Sequence, residues 1–500
     1  MTHKRNFKAI MLQGTGSDVG KTVLVAGLCR LAQRRGLQVR PFKPQNMSNN
    51  AAVAEVPLFN GAGGEIGRAQ WLQALACGVP SNIDMNPVLL KPQSETGSQI
   101  IVHGKVWGAA KGRDYQKLKP QLLDAVLTSF NRLGEEADLV IVEGAGSAAE
   151  INLRAGDIAN MGFANAADVP VVLVGDIDRG GVIASLVGTH TILPDEDRRM
   201  VCGYLINKFR GDIGLFDDGL KQITEFTGWP GFGVIPYLPD AARLPAEDSV
   251  ALEKAMRPTD ASPDASAEVV VVVPVLSRIA NFDDLDPLQQ TPGLRLVFLR
   301  PGEAWPQEAM LVVLPGSKST IADLNQFKAL GWDVELSKHV ARGGHVLGIC
   351  GGYQMLGHVV RDPDAIEGSE TAAKGLGILD LETVLVPEKT VLNSSAVDAE
   401  TGKPLSGYEI HMGRTTGPAT HRPMIKIDGR DDGAISENGH VRGSYLHGLF
   451  ASDDWRNAYL ARLGVAHSGM NYRGNVEAAL DSLADHLEKV IDPALWDIPR

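Results

Sequence analysis

The sequence predicts an α/β protein of two domains, each a mostly parallel β-sheet with flanking helices. A chain of 500 residues is too long for one ordinary hydrophobic core. Short apolar runs alternate with helix-like patterns, as in parallel sheets with crossover helices. A stretch rich in Pro, Ala, Ser and Asp at residues 251–267 indicates a linker. We therefore expect one domain at residues 1–250 and a second at residues 268–500.

Composition and charge exclude several classes of function. The net charge of -12 argues against nucleic acid as a partner. The longest apolar run, VVVVVPVL from Val269, has the length of a strand and is too short to span a membrane. The four cysteines are scattered without CxxC spacing, which suits a reducing cytoplasm and indicates no disulfide or metal framework. We expect a cytoplasmic protein without nucleic-acid or membrane partners.

The first half of the chain alternates predicted strands with predicted helices. The apolar runs that predict strands are KAIMLQ, LQVRPF, ADLVIVEG, VPVVLVGDID and VCGYLINK. The helix patterns between them cover Lys21–Arg35, Glu65–Ala76 and Tyr115–Leu133. Strands connected in this way lie parallel, and ligands bind beyond their carboxyl ends.

A glycine-rich loop, QGTGSDVGKT, follows the first predicted strand and opens a helix. Backbone N–H groups in such a loop, together with the helix N-terminus, favour an anion such as phosphate. Lys21 is expected to reach the outer phosphates of a nucleotide, and Thr22 to hold Mg²⁺. Thr15 stands where the usual pattern has glycine, so this is a variant phosphate loop or a chance match. The predicted nucleotide-binding residues of the loop are Gly14, Thr15, Gly16, Gly20, Lys21 and Thr22.

Polar residues at the ends of later strands support a nucleotide site. Glu143 ends the strand LVIVEG, where its carboxylate is expected to share the metal ion with Thr22, although a strand-end glutamate can also be merely solvated. Asp176 and Asp178 end the next strand in the same way. Asn207 and Lys208 are candidates to contact the nucleotide, with a turn as the alternative for the asparagine.

The second half opens a new series of strands and contains a candidate nucleophile. Its strand-like runs are EVVVVVPVL, LRLVFL, MLVVLPG, GHVLGIC and GSYLHG. In HVLGICGGYQMLG, Cys350 stands between an apolar strand and a helix start, with two glycines after it. This is the layout of a nucleophile elbow. The alternative is a buried cysteine that acts only as a small hydrophobe.

A nucleophilic cysteine needs a base that lies nearby in the fold. His447, in VRGSYLHGLF, is the preferred candidate, and His411, in GYEIHMGRT, is its rival. The loop LPGSKST follows another predicted strand. Its amides are expected to form an oxyanion hole with the amide after the cysteine. The predicted oxyanion and glutamine-binding residues are Gly316, Ser317 and Gly351.

Together these motifs resemble the cobyric acid synthases, glutamine-hydrolysing enzymes of cobalamin biosynthesis, over nearly the whole chain. QGTGSDVGKT is similar to the phosphate loop of the dethiobiotin-synthetase-like ATPases. The resemblance to the family is carried more specifically by KPQNMSNN, GGEIGRAQ, MNPVLLKP, EGAGSAAEINLR, DIANMGFA, GDIDRGGV and LINKFRGD. LPGSKST, GICGGYQMLG, GYEIHMGRT and YLHGLF resemble a class I-like glutamine amidotransferase domain.

The resemblance implies a P-loop NTPase-like domain that uses ATP and Mg²⁺, followed by a class I-like glutamine amidotransferase domain. Cys350 and His447 would release ammonia from glutamine. The first domain would activate a substrate carboxylate as an acyl phosphate, and ammonia would reach it by an internal route. The implied acceptor is the corrinoid adenosylcobyrinic acid a,c-diamide, whose b, d, e and g carboxylates become amides. Lys43, Lys91 and Arg154 are candidates to hold those carboxylates, with solvated surface charges as the alternative.

Two features depart from the expected pattern. Ordinary class I amidotransferases have glutamate two residues after the catalytic histidine, whereas this chain has Leu449, so the group that orients His447 is left open. The segment AAVAEVPLFNGAGG at residues 51–64 is longer than expected and predicts an altered loop near the corrinoid.

Two other functions remain open at this stage. One is a cobyrinic acid a,c-diamide synthase, against which KPQNMSNN and MNPVLLKP argue. The other is a P-loop ATPase of the partitioning type with a regulatory second domain, against which the intact Cys350 and His447 argue.

Overall fold

The computed structural model describes residues 6–56, 63–93, 97–245 and 269–498. The predicted linker at residues 251–267 lies outside the described residues, as does the middle of the long segment at residues 51–64. Two α/β units lie on either side of residues 246–268 and pack against each other.

The first unit is built on a six-stranded parallel sheet. Its described strands are β1 Lys8–Gly14, β2 Val39–Phe42, β3 Gln45–Met47, β4 Ala51–Glu55, β5 Gly63–Gly67, β6 Val88–Pro92, β7 Gly97–Val102, β8 Lys105–Lys111, β9 Leu139–Ser147, β10 Val171–Asp176, β11 Val201–Phe209 and β12 Gly231–Pro236. The parallel sheet has the order β12-β11-β10-β1-β9-β2. A second sheet has the order β3-β6-β7-β8, and β4 pairs with β5 as an antiparallel hairpin.

Helices cover both faces of the parallel sheet, so its central strands are apolar on both sides. The described helices of this unit are α1 Lys21–Arg34, α2 Arg68–Cys77, α3 Gly112–Gly134, α4 Met161–Ala166, α5 Val182–Ile192, α6 Asp195–Arg198 and α7 Asp217–Thr227. Side chains along β1 alternate between the faces, with Ala9 and Met11 in one core and Ile10 and Leu12 in the other.

The second unit contains another mainly parallel sheet and a long antiparallel hairpin. Its described strands are β13 Val269–Pro274, β14 Ile279–Ala280, β15 Leu294–Leu299, β16 Leu311–Leu314, β17 Gly316–Ser317, β18 His345–Ile349, β19 Val359–Arg361, β20 Ala372–Lys374, β21 Glu382–Asp398, β22 Pro404–Thr416, β23 Ile425–Ile427, β24 Arg430–Asp432, β25 Ala434–Ile435 and β26 Val441–Ser444. The main sheet has the order β15-β13-β16-β18-β26-β25, in which β25 alone runs antiparallel to its described neighbour. The hairpin is formed by β21 and β22.

The helices described after residue 269 do not all pack in the second unit. They are α8 Asp286–Gln289, α9 Thr320–Ala329, α10 Trp332–Ala341, α11 Gly351–Met355, α12 Asp453–Ala461 and α13 Tyr472–Val490. Helix α13 packs against α1, with Leu480, Leu483 and Leu487 in the same core as the inner face of α1. The end of the chain therefore returns to the first unit, although we had expected it to stay with residues 268–500.

Hairpins from both units meet at their interface. The paired strands β4 and β5, which hold the described ends of the unexpectedly long segment, pack on β21 and β22. Ala51 and Val53 share one apolar cluster with Tyr408 and Ile410 of the second unit. The two units are thus joined through a common core as well as through the chain.

The predicted α/β class with two mostly parallel sheets is confirmed. Two of the local predictions are wrong. Glu65 belongs to strand β5 and the helix begins only at Arg68, because β5 pairs with β4. Strand β26 ends at Ser444, before His447. Among the described residues, no helix has the length and apolar character needed to cross a membrane.

Candidate functional site

The glycine-rich loop joins β1 to α1 at the carboxyl edge of the parallel sheet. Gly20 has a φ of 93°, and a Cβ there would collide with the amide of Asn207. Only glycine adopts this conformation without strain. Lys21 is buried, and its Nζ donates to the carbonyl of Gly146 at 2.8 Å and to that of Gly16 at 3.4 Å. The ammonium therefore lies within the loop that the sequence assigned to phosphate.

Thr22 and Glu143 lie together, as the sequence predicted. The Thr22 hydroxyl donates to Glu143 Oε1 at 2.8 Å. Lys43 Nζ donates to the same oxygen at 2.8 Å, and Gln73 Nε2 donates to Oε2 at 2.6 Å. A hydroxyl and a carboxylate are oxygen ligands of the kind Mg²⁺ prefers, and the ion takes its other ligands from phosphate and water. The pair therefore fits the metal predicted for it.

Other predicted nucleotide contacts hold the loop in place. The N–H of Thr15 is engaged by the carbonyl of Val174 at 3.0 Å and is not directed at a ligand. Asn207 Nδ2 donates to the carbonyl of Val19 at 2.8 Å. Lys208 Nζ donates to Asp176 Oδ2 at 2.7 Å. These side chains tie β10 and β11 to the phosphate loop, and their contact with a nucleotide stays a prediction.

Cys350 occupies a strained turn between β18 and α11. Its backbone has φ 51° and ψ -107°, outside the regions that L-residues ordinarily adopt. A Cβ on Gly352, two residues later, would collide with the carbonyl of Leu314, so this close approach requires glycine. Such strain recurs at functional sites, and here it sets the sulfur at the carboxyl edge of the sheet.

His447 is the base candidate that meets this cysteine. Its Nδ1 lies 2.7 Å from Oδ2 of Asp284, and Nε2 is left for the Cys350 sulfur. Burial alone would lower the pKa of His447, but the Asp284 carboxylate and the Cys350 sulfur outweigh it and raise the pKa to about 10. A protonated imidazole beside the sulfur stabilises negative charge there. The three side chains therefore have the arrangement of a nucleophile, a base and an orienting acid.

The sequence analysis missed Asp284. It lies 163 residues before His447, in a short 3-10 helix at Phe282–Leu285. The signal was the acidic run NFDDLDP directly after β14, in which Asp283 and Asp284 are both buried in the structure. Asp284 supplies the orienting carboxylate for His447, since position 449 has leucine in place of the usual glutamate.

The rival histidine, His411, has partners of its own. Its Nε2 lies 3.3 Å from Glu409 Oε2, and its Nδ1 lies 3.2 Å from the carbonyl of Gly413. Its ring stacks on Tyr445 at a centroid distance of 3.9 Å. His411 lines the same pocket as Cys350, but the geometry favours His447 as the base.

Two of the three predicted oxyanion donors have backbone amides that lie next to each other. The N–H of Lys318 donates to the carbonyl of Arg278 at 2.9 Å, and Gly316 is paired with Ala280 in the same short ladder. Because N–H directions alternate along a strand, the amide of Gly316 faces β14 and that of Ser317 faces away from it. A Cβ on Gly351 would lie 2.8 Å from the Ser317 nitrogen. The amides of Ser317 and Gly351 are therefore adjacent, whereas Gly316 lines the same pocket with its amide directed at β14.

A buried ionic cluster borders the cysteine pocket, whose lining includes Lys91 and Lys389. Lys91, on the first unit, donates to Glu65 Oε1 at 2.8 Å, and Lys389, on the second unit, donates to Glu65 Oε2 at 2.5 Å. Burial raises the pKa of Glu65, but Lys389 and Lys91 outweigh it and lower the pKa to about 2. Burial lowers the pKa of Lys389 to about 7. Lys91 thus lines the cysteine pocket and is paired with Glu65.

The remaining substrate candidates are also paired. Arg154 forms two hydrogen bonds to Asp197, at 2.7 and 2.8 Å, and thereby ties the loop after β9 to α6. Lys43 is buried against Glu143. Of the three residues predicted to hold carboxylates, Lys43 is near the phosphate loop and Lys91 is beside the cysteine pocket. Arg154 is not among the residues described for either place.

These features define a class of protein: a nucleotide-binding domain joined to a glutamine amidotransferase domain. Residues 10–251 match the family described as CobQ/CobB/MinD/ParA nucleotide binding domain, and residues 270–455 match the CobB/CobQ-like glutamine amidotransferase domain. Cobyric acid synthases are similar to nearly the whole chain. The relative from Mesorhizobium japonicum is 65% identical over 99% of this chain and 100% of its own length, and that from Sinorhizobium fredii is 66% identical over 97% and 98%.

The chain belongs to the cobyric acid synthase family. A solved glutamine amidotransferase aligns at 18% identity with 39% of this chain and 100% of its own length, with a TM-score of 0.30. The assignment rests on the full-length relatives and not on that alignment.

Proposed function

We propose that this protein uses ATP and glutamine to amidate the b, d, e and g carboxylates of adenosylcobyrinic acid a,c-diamide. The observation that carries the proposal is the Cys350–His447–Asp284 arrangement in the same chain as a phosphate loop, within a family of cobyric acid synthases. The three side chains suit release of ammonia from glutamine, and the phosphate loop suits activation of a carboxylate by a nucleotide.

In the glutaminase reaction, the Cys350 sulfur attacks the carboxamide carbon of glutamine. His447 holds a proton at Nε2 and transfers it to the departing ammonia. The amides of Ser317 and Gly351 stabilise the negative charge on the carboxamide oxygen. Water then hydrolyses the thioester to glutamate, and Asp284 keeps the imidazole oriented throughout.

In the synthetase reaction, a corrinoid carboxylate attacks the γ-phosphate of ATP and forms an acyl phosphate with release of ADP. Lys21 and the amides of the loop neutralise and orient the phosphates. Mg²⁺ held by Thr22 and Glu143 would supply further charge neutralisation. Ammonia from the second unit displaces phosphate and forms the amide.

The test incubates the protein with ATP, Mg²⁺, glutamine and the a,c-diamide corrinoid and follows the corrinoid by mass spectrometry. We expect stepwise amidation in the wild type. The Cys350→Ala variant should lose the reaction with glutamine and regain it with ammonium chloride. ATP hydrolysis without any change in the corrinoid would contradict the proposed substrate.

A further inference from the structure

The orienting acid of the candidate glutaminase lies on a turn that the nucleotide-binding unit holds. Residues 281–285 run from Asn281 into the 3-10 helix that carries Asp284. Asn281 has φ 53° and ψ 43°, a left-handed conformation that needs support from its surroundings. The N–H of Ala51 supplies a hydrogen bond to Asn281 Oδ1 at 3.0 Å.

Two further contacts hold the same turn from the first unit. The N–H of Phe282 donates to Oδ1 of Asn50 at 3.0 Å in a buried position. Arg68 Nη2 lies 3.0 Å from Oδ2 of Asp283, whose side chain is almost fully buried. Arg68 and Asn50 are themselves joined, because the N–H of Arg68 donates to the Asn50 carbonyl at 3.1 Å. These contacts hold the three residues that precede the orienting acid.

The ion pair of Arg68 and Asp283 is also linked to the imidazole of His447 through Tyr408. The hydroxyl of Tyr408 lies 3.5 Å from Oδ2 of Asp283, and its ring stacks on His447 at a centroid distance of 5.1 Å and an interplanar angle of 15°. Arg68 in turn lies over the ring of Trp71 at 4.0 Å, so its guanidinium is held from the side of α2. A shift of Arg68 would therefore change both the acid that orients His447 and the ring that packs on it.

We propose that Arg68 and Asn50 are positioning residues for the glutaminase, which hold Asp284 against His447 from the nucleotide-binding unit. The inference rests on the proposed function of the Cys350 site. Its consequence is that the second unit hydrolyses glutamine efficiently only while the first unit supports the turn. Catalysis is sensitive to such support, because a displacement of about 1 Å remote from the reacting atoms costs on the order of 10²-fold in rate.

The experiment measures glutamate release from glutamine, and separately ATP-dependent amidation with ammonium chloride, for Arg68→Met, Arg68→Lys and a control. We expect Arg68→Met to lower kcat for glutamate release by on the order of 10²-fold, with KM for glutamine little changed. Amidation with ammonium should persist, and Arg68→Lys should restore part of kcat because it keeps the charge.

Arg132→Met is the matched control, since Arg132 pairs with the buried Asp84 in the same unit but away from the turn. It should leave kcat for glutamate release unchanged. Equal kcat values for Arg68→Met and Arg132→Met would overturn the inference, as would an equal fall of both activities in Arg68→Met.

If Arg68→Met does not yield folded protein, Asn50→Ala replaces it, because it removes the acceptor of the Phe282 N–H without leaving a buried charge. The same selective fall in kcat is then expected, and its absence overturns the inference. Glutamate release needs no corrinoid, so this readout stands even if the proposed acceptor is wrong.

Discussion

At the scale of single residues, the candidate glutaminase depends on contacts between distant parts of the sequence. Cys350 and Gly351 are adjacent, and their motif predicts the elbow directly. Asp284 reaches His447 from 163 residues away and carries no motif that the amidotransferase pattern would identify. The sequence therefore predicts functional residues that belong to one local motif, whereas the orienting acid is identified only from the folded structure.

Asp284→Asn tests whether the Asp284 carboxylate sets the pKa of His447. Loss of the carboxylate removes a group that raises the pKa of His447 to about 10, so the pKa should fall. The protonated imidazole is then lost at a lower pH, and the alkaline limb of glutamate release should move to lower pH. General acid–base catalysis contributes on the order of 10²–10⁴-fold, so kcat should fall by an amount in that range.

Asp286→Asn is the matched control for this variant. Asp286 is a half-buried neighbour of Asp284, and desolvation raises the pKa of its carboxyl well above the ordinary value. Its pH profile of glutamate release should match that of the wild type. An unshifted alkaline limb in Asp284→Asn would contradict the role assigned to Asp284.

Thr22→Val should affect ATP hydrolysis and leave glutamate release unchanged. The substitution removes the hydroxyl that lies 2.8 Å from Glu143 and is the candidate metal ligand. A hydrogen bond to a charged group contributes about 1.5–3 kcal/mol, so the Mg²⁺ concentration for half-maximal ATP hydrolysis should rise at least about tenfold. Glutamate release without ATP serves as the internal control. An unchanged Mg²⁺ dependence would remove Thr22 from the metal site.

At the scale of elements, the sequence predicts strands well and their long-range partners poorly. The parallel strands are apolar on both faces, so their runs are visible without knowledge of the fold. Helix α13 has an apolar stripe, but nothing in that stripe indicates which unit it covers. Its packing on α1 follows from shape, because Gly27 leaves room for Leu483 and Leu487.

Gly27→Ala tests this packing. A Cβ at Gly27 would lie 2.5 Å from Leu487 Cδ1 and 2.7 Å from Leu483 Cγ. Overpacking of this kind typically costs about 1–3 kcal/mol, which exceeds the gain of about 1 kcal/mol in helix propensity. We therefore expect a lower midpoint of urea unfolding.

Gly188→Ala provides the comparison, because Gly188 lies in helix α5 and a Cβ there meets nothing within 4 Å. That variant should be as stable as the wild type or more stable, since alanine favours the helix by about 1 kcal/mol. If both variants gain stability, the close approach of α1 and α13 is incorrect.

At the scale of the whole molecule, the two units share a buried ionic cluster as well as an apolar core. Lys91 and Lys389 come from different units and meet on Glu65. The sequence makes Lys91 a candidate to hold a substrate carboxylate, because a lysine within a family motif gives no sign of a buried partner. Only the fold shows that its charge is neutralised at the interface.

Glu65→Gln should weaken the interface in a pH-dependent way. The folded pKa of Glu65 is about 2, below its ordinary value of 4.5, so its charge stabilises the fold above pH 4.5 and this contribution is lost as the pH falls toward 2. Removal of one partner from a buried ion pair costs about 3–5 kcal/mol. The unfolding midpoint should therefore fall at pH 7, and the gap from the wild type should narrow below pH 4.5.

Glu388→Gln is the control, because Glu388 precedes Lys389 in β21 but its side chain is exposed. Its unfolding midpoint should equal that of the wild type at both pH values. A Glu65→Gln variant that behaves like Glu388→Gln would show that the buried cluster does not hold the two units together.

The most direct test of the whole account follows nitrogen from glutamine into the corrinoid. The protein is given ATP, Mg²⁺, the a,c-diamide corrinoid and glutamine labelled with nitrogen-15 in its amide, with unlabelled ammonium present in excess. The account predicts that the new amides carry the label in the wild type and lack it in Cys350→Ala. Unlabelled amides in the wild type would contradict the coupling of the two sites.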